Sequence, residues 1–408
     1  MTKLISLEVR NFKSLADVKI DFSHLTCLIG MNGAGKSSIL QSLDYFSQLM
    51  RGNIQTWLDQ RDWTAGDLNC KLISESNITT NALLELNSGV KVVWFAAFNR
   101  RDLRCTREYV RTIDGKTIFT LSSGRYFIDE PSTLQDIQVG YQGSFIAHLR
   151  LGDDPIALIL KEIRDFIKGV QSLELLSPNL MRKRARKTDK DIGAGGEKLS
   201  AFLGSLKGEA HDKLLGLLRN FYPNIQNFSV SNLRSGWKRL NIIEQFGYQK
   251  LETEARHIND GLLRILAILA QTETVPSILL LDEIENGINQ EIVDKLVKVL
   301  LEAPAQIVIT THSPLVLNYF PDDVAKDSVQ FVYKSPLGKT SIRPFFKIPR
   351  IAEKLQVMGP GEAFVDTDLK SLTQESLEQD IKDAEHKAMR FEFELQHSLG
   401  ASLRRSKP

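Results

Sequence analysis

The stretch "CLIGMNGAGKSSIL", Cys27 to Leu40, sets two short apolar runs on either side of a glycine-rich segment that exits through one lysine. A buried strand has no use for Gly30, Gly33 and Gly35 within six residues, so the backbone here must approach something that side chains would exclude. Gly30-Met-Asn-Gly-Ala-Gly-Lys-Ser37 fits the phosphate-loop pattern G-x-x-x-x-G-K-[ST] at every fixed position. Bare glycines let successive N–H groups turn toward an anion, and a helix opening near Lys36 adds the positive end of its dipole. "LTCLIG" reads as a short buried strand, and "SSILQSLDYFSQLM" carries apolar residues at helical spacing. The expected guest is a nucleotide triphosphate, cradled by Gly30, Asn32, Gly33, Ala34, Gly35, Lys36, Ser37 and Ser38. Lys36 would bring its charge to the β/γ oxygens, and the Ser37 hydroxyl would ligate magnesium.

A phosphate loop alone hydrolyses nothing, and the remaining machinery follows in the chain. "SILLLDEIENG" is an apolar strand ending in Asp282 and Glu283, as expected of a central parallel strand with acids at its C-terminal edge. Adjacent strand residues face opposite ways, so the two acids can divide the work. Asp282 would hold the metal, and Glu283 would polarise the attacking water. "AQIVITTHSP" is a second strand ending at His312, whose ring could reach the γ-phosphate or the water. Upstream, "RHINDGLLRILAILA" starts a strongly apolar helix at Asn259-Asp260-Gly261, a second helix terminus with free N–H groups.

The bulk properties bound the setting. The chain has 408 residues, 52 Lys and Arg against 50 Asp and Glu, and a net charge of +2. There is no whole-molecule attraction to nucleic acid or anionic membrane, so any such contact must be local. Three widely spaced cysteines, Cys27, Cys70 and Cys105, argue for reduced thiols rather than a disulfide frame or a zinc site. The opening "MTKLISLEVRNFKSLADVKI" lacks the apolar stretch of a signal peptide, and no segment reaches a membrane span; a cytoplasmic protein is expected.

The pattern along the chain gives an α/β organisation. "KLISLEVRNF" and "ADVKIDF" alternate like a hairpin, and "NALLELNSGVKVVWFAAFN" and "KTIFTLSSGRYFID" belong to an antiparallel β lobe. From Asp154 the spacing turns helical, in "DPIALILKEIRDFIKGVQSL" and "EKLSAFLGSLKGEAHDKLLGLLRNFYP". The expected divisions are 1–153 for the phosphate loop and β lobe, 154–225 for a helical insertion, 226–345 for the acid-pair half, and 346–408 for a charged helical extension. The basic run Arg182 to Lys187 is a candidate DNA contact. Asp366-Thr367-Asp368 reads as a helix-capping cluster rather than a nuclease metal centre, because no buried strand leads into it.

The set "GMNGAGKSS", "INDGLLRILA", "LLLDEIENG" and "TTHSP", in this order, resembles the ATP-binding-cassette ATPases of the SMC and RecF branch. The likeness is closest to the stand-alone ATPases grouped with the OLD nucleases, which include ATPase subunits of anti-phage systems such as Septu and PARIS. The resemblance implies a P-loop NTPase head of ABC/SMC type, with an antiparallel β lobe, a mostly parallel core sheet and a helical insertion in place of a long coiled coil. It also implies a homodimer or higher homo-oligomer in which two heads pack head to tail, each ATP held between one phosphate loop and the other copy's signature helix. Asn259 and Gly261 would stand at the signature positions. The usual motif reads Ser-Gly-Gly, so Asn259 and Asp260 depart from it, and Asp260 adds negative charge near phosphate. Glu285-Asn286-Gly287 resembles the loop that crosses the dimer interface. A glutamine leaving the β lobe completes the magnesium shell in this family; Gln142 is the candidate here and Gln138 its competitor. The implied work is ATP hydrolysis that controls a separate effector, a nuclease in phage defence, with a RecF-like DNA-repair ATPase as the alternative.

Overall fold

A computed structural model of the chain describes residues 1–129, 133–186, 191–383 and 385. The strand that delivers the glycine loop, Leu25–Ile29, is buried along its whole length inside a six-stranded sheet. The strand ending at Thr310 (Gln306–Thr310, the switch strand) and Val329–Lys334 flank it, both parallel to it. Beyond the switch strand lie the acid strand, Ile278–Leu281, and the edge strand Gln171–Ser172; Thr340–Pro344 closes the other edge antiparallel. These strands are short and apolar because both faces are covered. Leu25, Cys27 and Ile29 enter one core with Leu279, Leu281, Ile307 and Ile309, while Leu28, Ile278, Leu280 and Val308 enter a second.

The helix after the glycine loop, Lys36–Arg51, fills the second core through Ile39, Leu40, Leu43, Phe46 and Leu49. Across it lies an eight-stranded antiparallel sheet. The N-terminal hairpin belongs to this sheet: Lys3–Phe12 pairs with Leu15–Asp21 on one side and with Asn77–Glu85 on the other. One strand with two partners thus joins the hairpin to the β lobe. The candidate signature helix, Asp260–Thr272, runs through the first core, and a three-stranded antiparallel sheet spanning Ile225 to Glu254 leads into it.

Residues 154–225 are less uniformly helical than the sequence suggests. Asp154 caps the helix Pro155–Lys168, as Asp-Pro at a helix start predicts. The core edge strand Gln171–Ser172 then interrupts the helical stretch, because two residues are too few to show a period of two. The second expected helix divides into Leu199–Leu203 and Glu209–Phe221, broken between Gly204 and Gly208. In the C-terminal region, Asp368 accepts from the N–H groups of Lys370 and Ser371, the capping role expected of it. The helix it starts runs over 369–383 and is tied to the core sheet by Arg343, which bonds Asp380 and Asp383. The rest of the charged tail lies outside the described residues. No helix among the described residues is long and apolar enough to cross a membrane.

Candidate functional site

Three parallel strands end at one edge of the core sheet, leading to Gly30, Asp282 and Thr311-His312. Ligands of open α/β sheets sit outside such carboxyl ends. A cavity of about 330 Å³ opens there, lined by Asn32, Gly33, Gly35, Lys36, Ser37, Ser38, Asp282, Glu283 and His312. Ser14 and Lys334 complete its wall. A second polar cavity, bordered by Asp44, Gln48, Arg51 and Arg61, shares no residue with this one.

The glycines have two different reasons. A Cβ on Gly30 would lie 2.1 Å from the Val332 carbonyl oxygen, and one on Gly35 would lie 2.3 Å from Thr340 Oγ1. Both positions therefore admit neighbouring protein as well as freeing amides. Gly33, by contrast, faces open space. Thr340 reaches over from the edge strand Thr340–Pro344 to bond the Ala34 carbonyl (3.0 Å) and Ser14 Oγ (2.9 Å), clamping the loop from outside. Gly30 packs under Val332, and the Ala34 N–H donates to the Met31 carbonyl at 3.2 Å.

Lys36 is buried, and its Nζ donates to the carbonyls of Gly30 (2.9 Å) and Met31 (3.1 Å). Burial pushes its pKa down, and the charge of Asp282 pulls it back up. The ammonium is parked on its own loop, in bonds that phosphate oxygens can replace. Ser37 Oγ lies 3.3 Å from Asp282 Oδ2, although the two residues are far apart in sequence. Two hard oxygens at this spacing suit neighbouring positions around magnesium, whose oxygen ligands stand at about 2.1 Å. The other Asp282 oxygen accepts from the Thr310 hydroxyl, which fixes the carboxylate.

Glu283 has φ +46°, an uncommon conformation for a residue other than glycine, asparagine or aspartate. Its N–H donates to Thr310 Oγ1 at 2.8 Å. Arg264, from the signature helix, donates to the carbonyls of Asp282 (2.6 Å) and Glu283 (3.0 Å). Burial lowers the Arg264 pKa, and the charge of Asp282 opposes that effect. The strained residue is thus held from two elements, leaving its carboxylate half exposed in the cavity. His312 Nε2 stands 3.6 Å from Glu283 Oε1, while the His312 N–H is fixed by Glu285 Oε1 at 2.8 Å.

Gln142 is elsewhere. Ser144 N–H donates to the Leu49 carbonyl (2.7 Å), placing the 142–144 turn at the C-terminal end of the helix Lys36–Arg51. That helix has 16 residues, which is about 24 Å of rise from the loop. The Gln142 side chain accepts from the Gln55 N–H (3.1 Å), a structural role. Gln138 does not line the cavity either. The glutamine one turn behind Ser37 is Gln41, which accepts from Lys13 Nζ at 2.8 Å and donates to Glu174.

Asn259 and Gly261 also stand away from this cavity. Asn259 Oδ1 caps the signature helix through the Leu262 N–H at 2.8 Å, and Asn259 and Asp260 are exposed. Gly261 packs against Gly287 so closely that a Cβ would lie 2.7 Å from its carbonyl oxygen. The basic run is largely used internally. Arg182 bonds Asp260 and the Ile258 carbonyl, Arg184 pairs with Glu254 at 2.9 Å, and Arg186 lies 4.7 Å over the Trp237 ring. Lys187 lies outside the described residues.

Sequence reasoning missed Ser14, Thr310, Thr340, Arg264 and Lys334. Ser14 stands in "NFKS", next to the hairpin turn, and Thr310 ends an apolar strand; both were legible as polar residues at strand ends. Thr340 and Lys334 reach the loop only through strand pairing, which no local pattern announces.

Residues 2–105 match the family described as AAA ATPase domain. Residues 125–318 match one described as "AAA domain, putative AbiEii toxin, Type IV TA system". No curated protein matches the chain by sequence. Among solved structures, an SMC head domain from Thermotoga maritima is 13% identical, covering 84% of this chain and 98% of its own, with a TM-score of 0.43. An SmcHead bound to the C-winged helix domain of ScpA is 14% identical over 83% of this chain and 96% of its own, with a TM-score of 0.48. An Smc head with an extended coiled coil, bound to the C-terminal domain of ScpA derived from Pyrococcus furiosus, is 14% identical over 87% of this chain and 100% of its own, with a TM-score of 0.49. Likenesses this distant carry no argument about activity or partners. The two AAA matches fall on the two halves that build one cavity, the phosphate loop in the first and the acid pair and histidine in the second. Residues 2–105 and 125–318 are thus similar to AAA ATPase domains, and they carry the phosphate loop and the acid pair on a mixed α/β fold with a mostly parallel core sheet.

Proposed function

We propose that the protein binds ATP with magnesium in the cytoplasm, pairs head to tail with a second copy around the nucleotide, hydrolyses it, and uses that cycle to control a separate effector, a nuclease of anti-phage defence. The observation that carries the reading is the convergence of Lys36, Ser37, Asp282, Glu283 and His312 on one cavity that the chain's own signature helix does not close. An ATPase site left open on one side, with a capped and exposed helix terminus elsewhere on the same chain, is what a second copy would complete.

Magnesium, when bound by Ser37 and Asp282, supplies charge neutralisation at the β and γ oxygens. Lys36 exchanges its loop carbonyls for phosphate oxygens. Glu283 accepts a proton from the attacking water, and His312, beside it, orients that water or the γ-phosphate. The effector arm rests on the resemblance to defence ATPases and on the toxin–antitoxin description of the family matched over residues 125–318. The pairing of Arg184 with Glu254 and the stacking of Arg186 over Trp237 weigh against the DNA-repair alternative, which needs free cations for phosphate backbones.

The test is Glu283→Gln. The variant is expected to bind ATP normally, lose turnover at least about a hundredfold, and accumulate an ATP-bound assembly seen as a larger species by light scattering. Hydrolysis at the parental rate would show that the base is another residue.

A further inference from the structure

The signature position of this chain carries an acid, Asp260, at the N-terminus of a helix that the head-to-tail reading turns toward a partner's triphosphate. An uncompensated carboxylate there would repel the γ-phosphate it is meant to hold. The structure supplies the compensation from a distant part of the chain. Arg182 Nη2 donates to Asp260 Oδ1 and, at 2.8 Å, to the carbonyl of Ile258, two residues before Asp260. The guanidinium is thus fixed against the helix start from both its side-chain and backbone sides.

A guanidinium carries five N–H donors. Both bonds of Arg182 leave from Nη2, so Nε and Nη1 keep theirs free of partners among the described residues. The side chain remains about a quarter exposed and Asp260 more than half. Among the neighbouring arginines, Arg184 and Arg256 both pair with Glu254, and Arg186 lies over Trp237.

We propose that Arg182 is the cation each copy presents, beside its signature helix, to the γ-phosphate bound in the other copy's loop. Asp260 is then the positioning residue that aims it. The departure from Ser-Gly-Gly exchanges neutral donors for an ion pair whose unused N–H groups do the same work with a full charge. This inference rests on the head-to-tail reading above.

The experiment measures ATP-dependent self-association in the Glu283→Gln parent by analytical ultracentrifugation, with a fluorescent ATP analogue reporting nucleotide affinity of the dilute monomer. Arg182→Ala is expected to raise the protein concentration needed for assembly at least tenfold while monomer affinity stays as in the parent. Arg182→Lys, which keeps the charge and loses the fork, should recover part of the loss. Asp260→Asn should assemble more weakly than the parent, because the guanidinium loses its aim, yet better than Arg182→Ala. Assembly of Arg182→Ala at the parental concentration overturns the inference alone. A parent that stays monomeric with ATP overturns the head-to-tail reading and the inference together. If Arg182→Ala lowers the unfolding temperature without nucleotide, the Arg182→Lys comparison decides: parental assembly with ADP and ATP alike counts against a γ-phosphate contact, and a deficit confined to ATP supports it.

Discussion

Glu283 and Glu108 are both carboxylates with fixed surroundings, and their environments put them to opposite uses. Glu283 is half exposed, strained at φ +46° and held by Thr310 and Arg264, so its position rather than its burial is what the fold secures. Glu108 is wholly buried in the β lobe, where it accepts from Trp94 Nε1 (2.8 Å), the Phe145 N–H (2.9 Å) and the Ser144 hydroxyl. Burial lifts its pKa from the ordinary 4.5 to about 7, and these three bonds pull the other way. The folded state therefore holds a proton that the unfolded chain has released between those two values. The associated stability is whole below about pH 4.5 and lost as the pH rises through about 7, a change on the order of 3 kcal/mol. Glu108→Gln imitates the protonated carboxyl, so the variant's unfolding temperature should stay level across this range while the parent's declines. An equal decline in both would mean that another group carries the dependence.

Among the elements, what was legible from the sequence is what local chemistry dictates. Gly30 to Ser37 announces its turn, Asp154-Pro155 its helix start, and Ile278 to Leu281 its burial, because each signal lies within a few residues of its consequence. Gln142 shows the opposite case. Its sequence offers a glutamine beside a glycine, as a ligand loop would, but the buried Glu108 anchors Ser144 and Phe145, and Gly143 packs under Leu49, at the wrong end of the helix. Arg264 was invisible for a related reason: an arginine in an apolar helix reads as a surface residue until strand and helix are placed together. It is the direct link between signature helix and acid pair. Arg264→Met keeps the length of the stem and deletes both bonds, leaving two carbonyls short of a donor at a cost of about 1–3 kcal/mol each. Turnover is expected to fall at least about tenfold, with ATP affinity changed by less than about threefold, because the phosphate loop is untouched. Equal losses in affinity and turnover would place Arg264 in general stability instead.

At the scale of the whole molecule, one chain assembles a phosphate loop, a candidate metal-ligand pair and a candidate base, yet leaves Asn259, Asp260 and Gly261 off the wall of that cavity. The parallel sheet explains why the first set could be read in sequence order: its strands deliver their ends to one edge. No such rule places the signature helix, whose partner in the proposed assembly is another molecule. Two substitutions separate the two surfaces. Lys36→Ala removes the loop cation, so ATP binding and ATP-dependent assembly should both disappear. Asn259→Asp keeps a side-chain acceptor for the Leu262 N–H, since aspartate and asparagine cap helices about equally well, and the fold is preserved. It also places a second negative charge beside Asp260 that the single guanidinium of Arg182 cannot neutralise. Monomer affinity for ATP should therefore remain as in the parent, while the trapped assembly of the Glu283→Gln background is lost at low salt and partly restored as added salt screens the repulsion. If Asn259→Asp assembles as readily as its parent at every ionic strength, the exposed helix terminus does not face phosphate, and the second copy closes the site with some other surface.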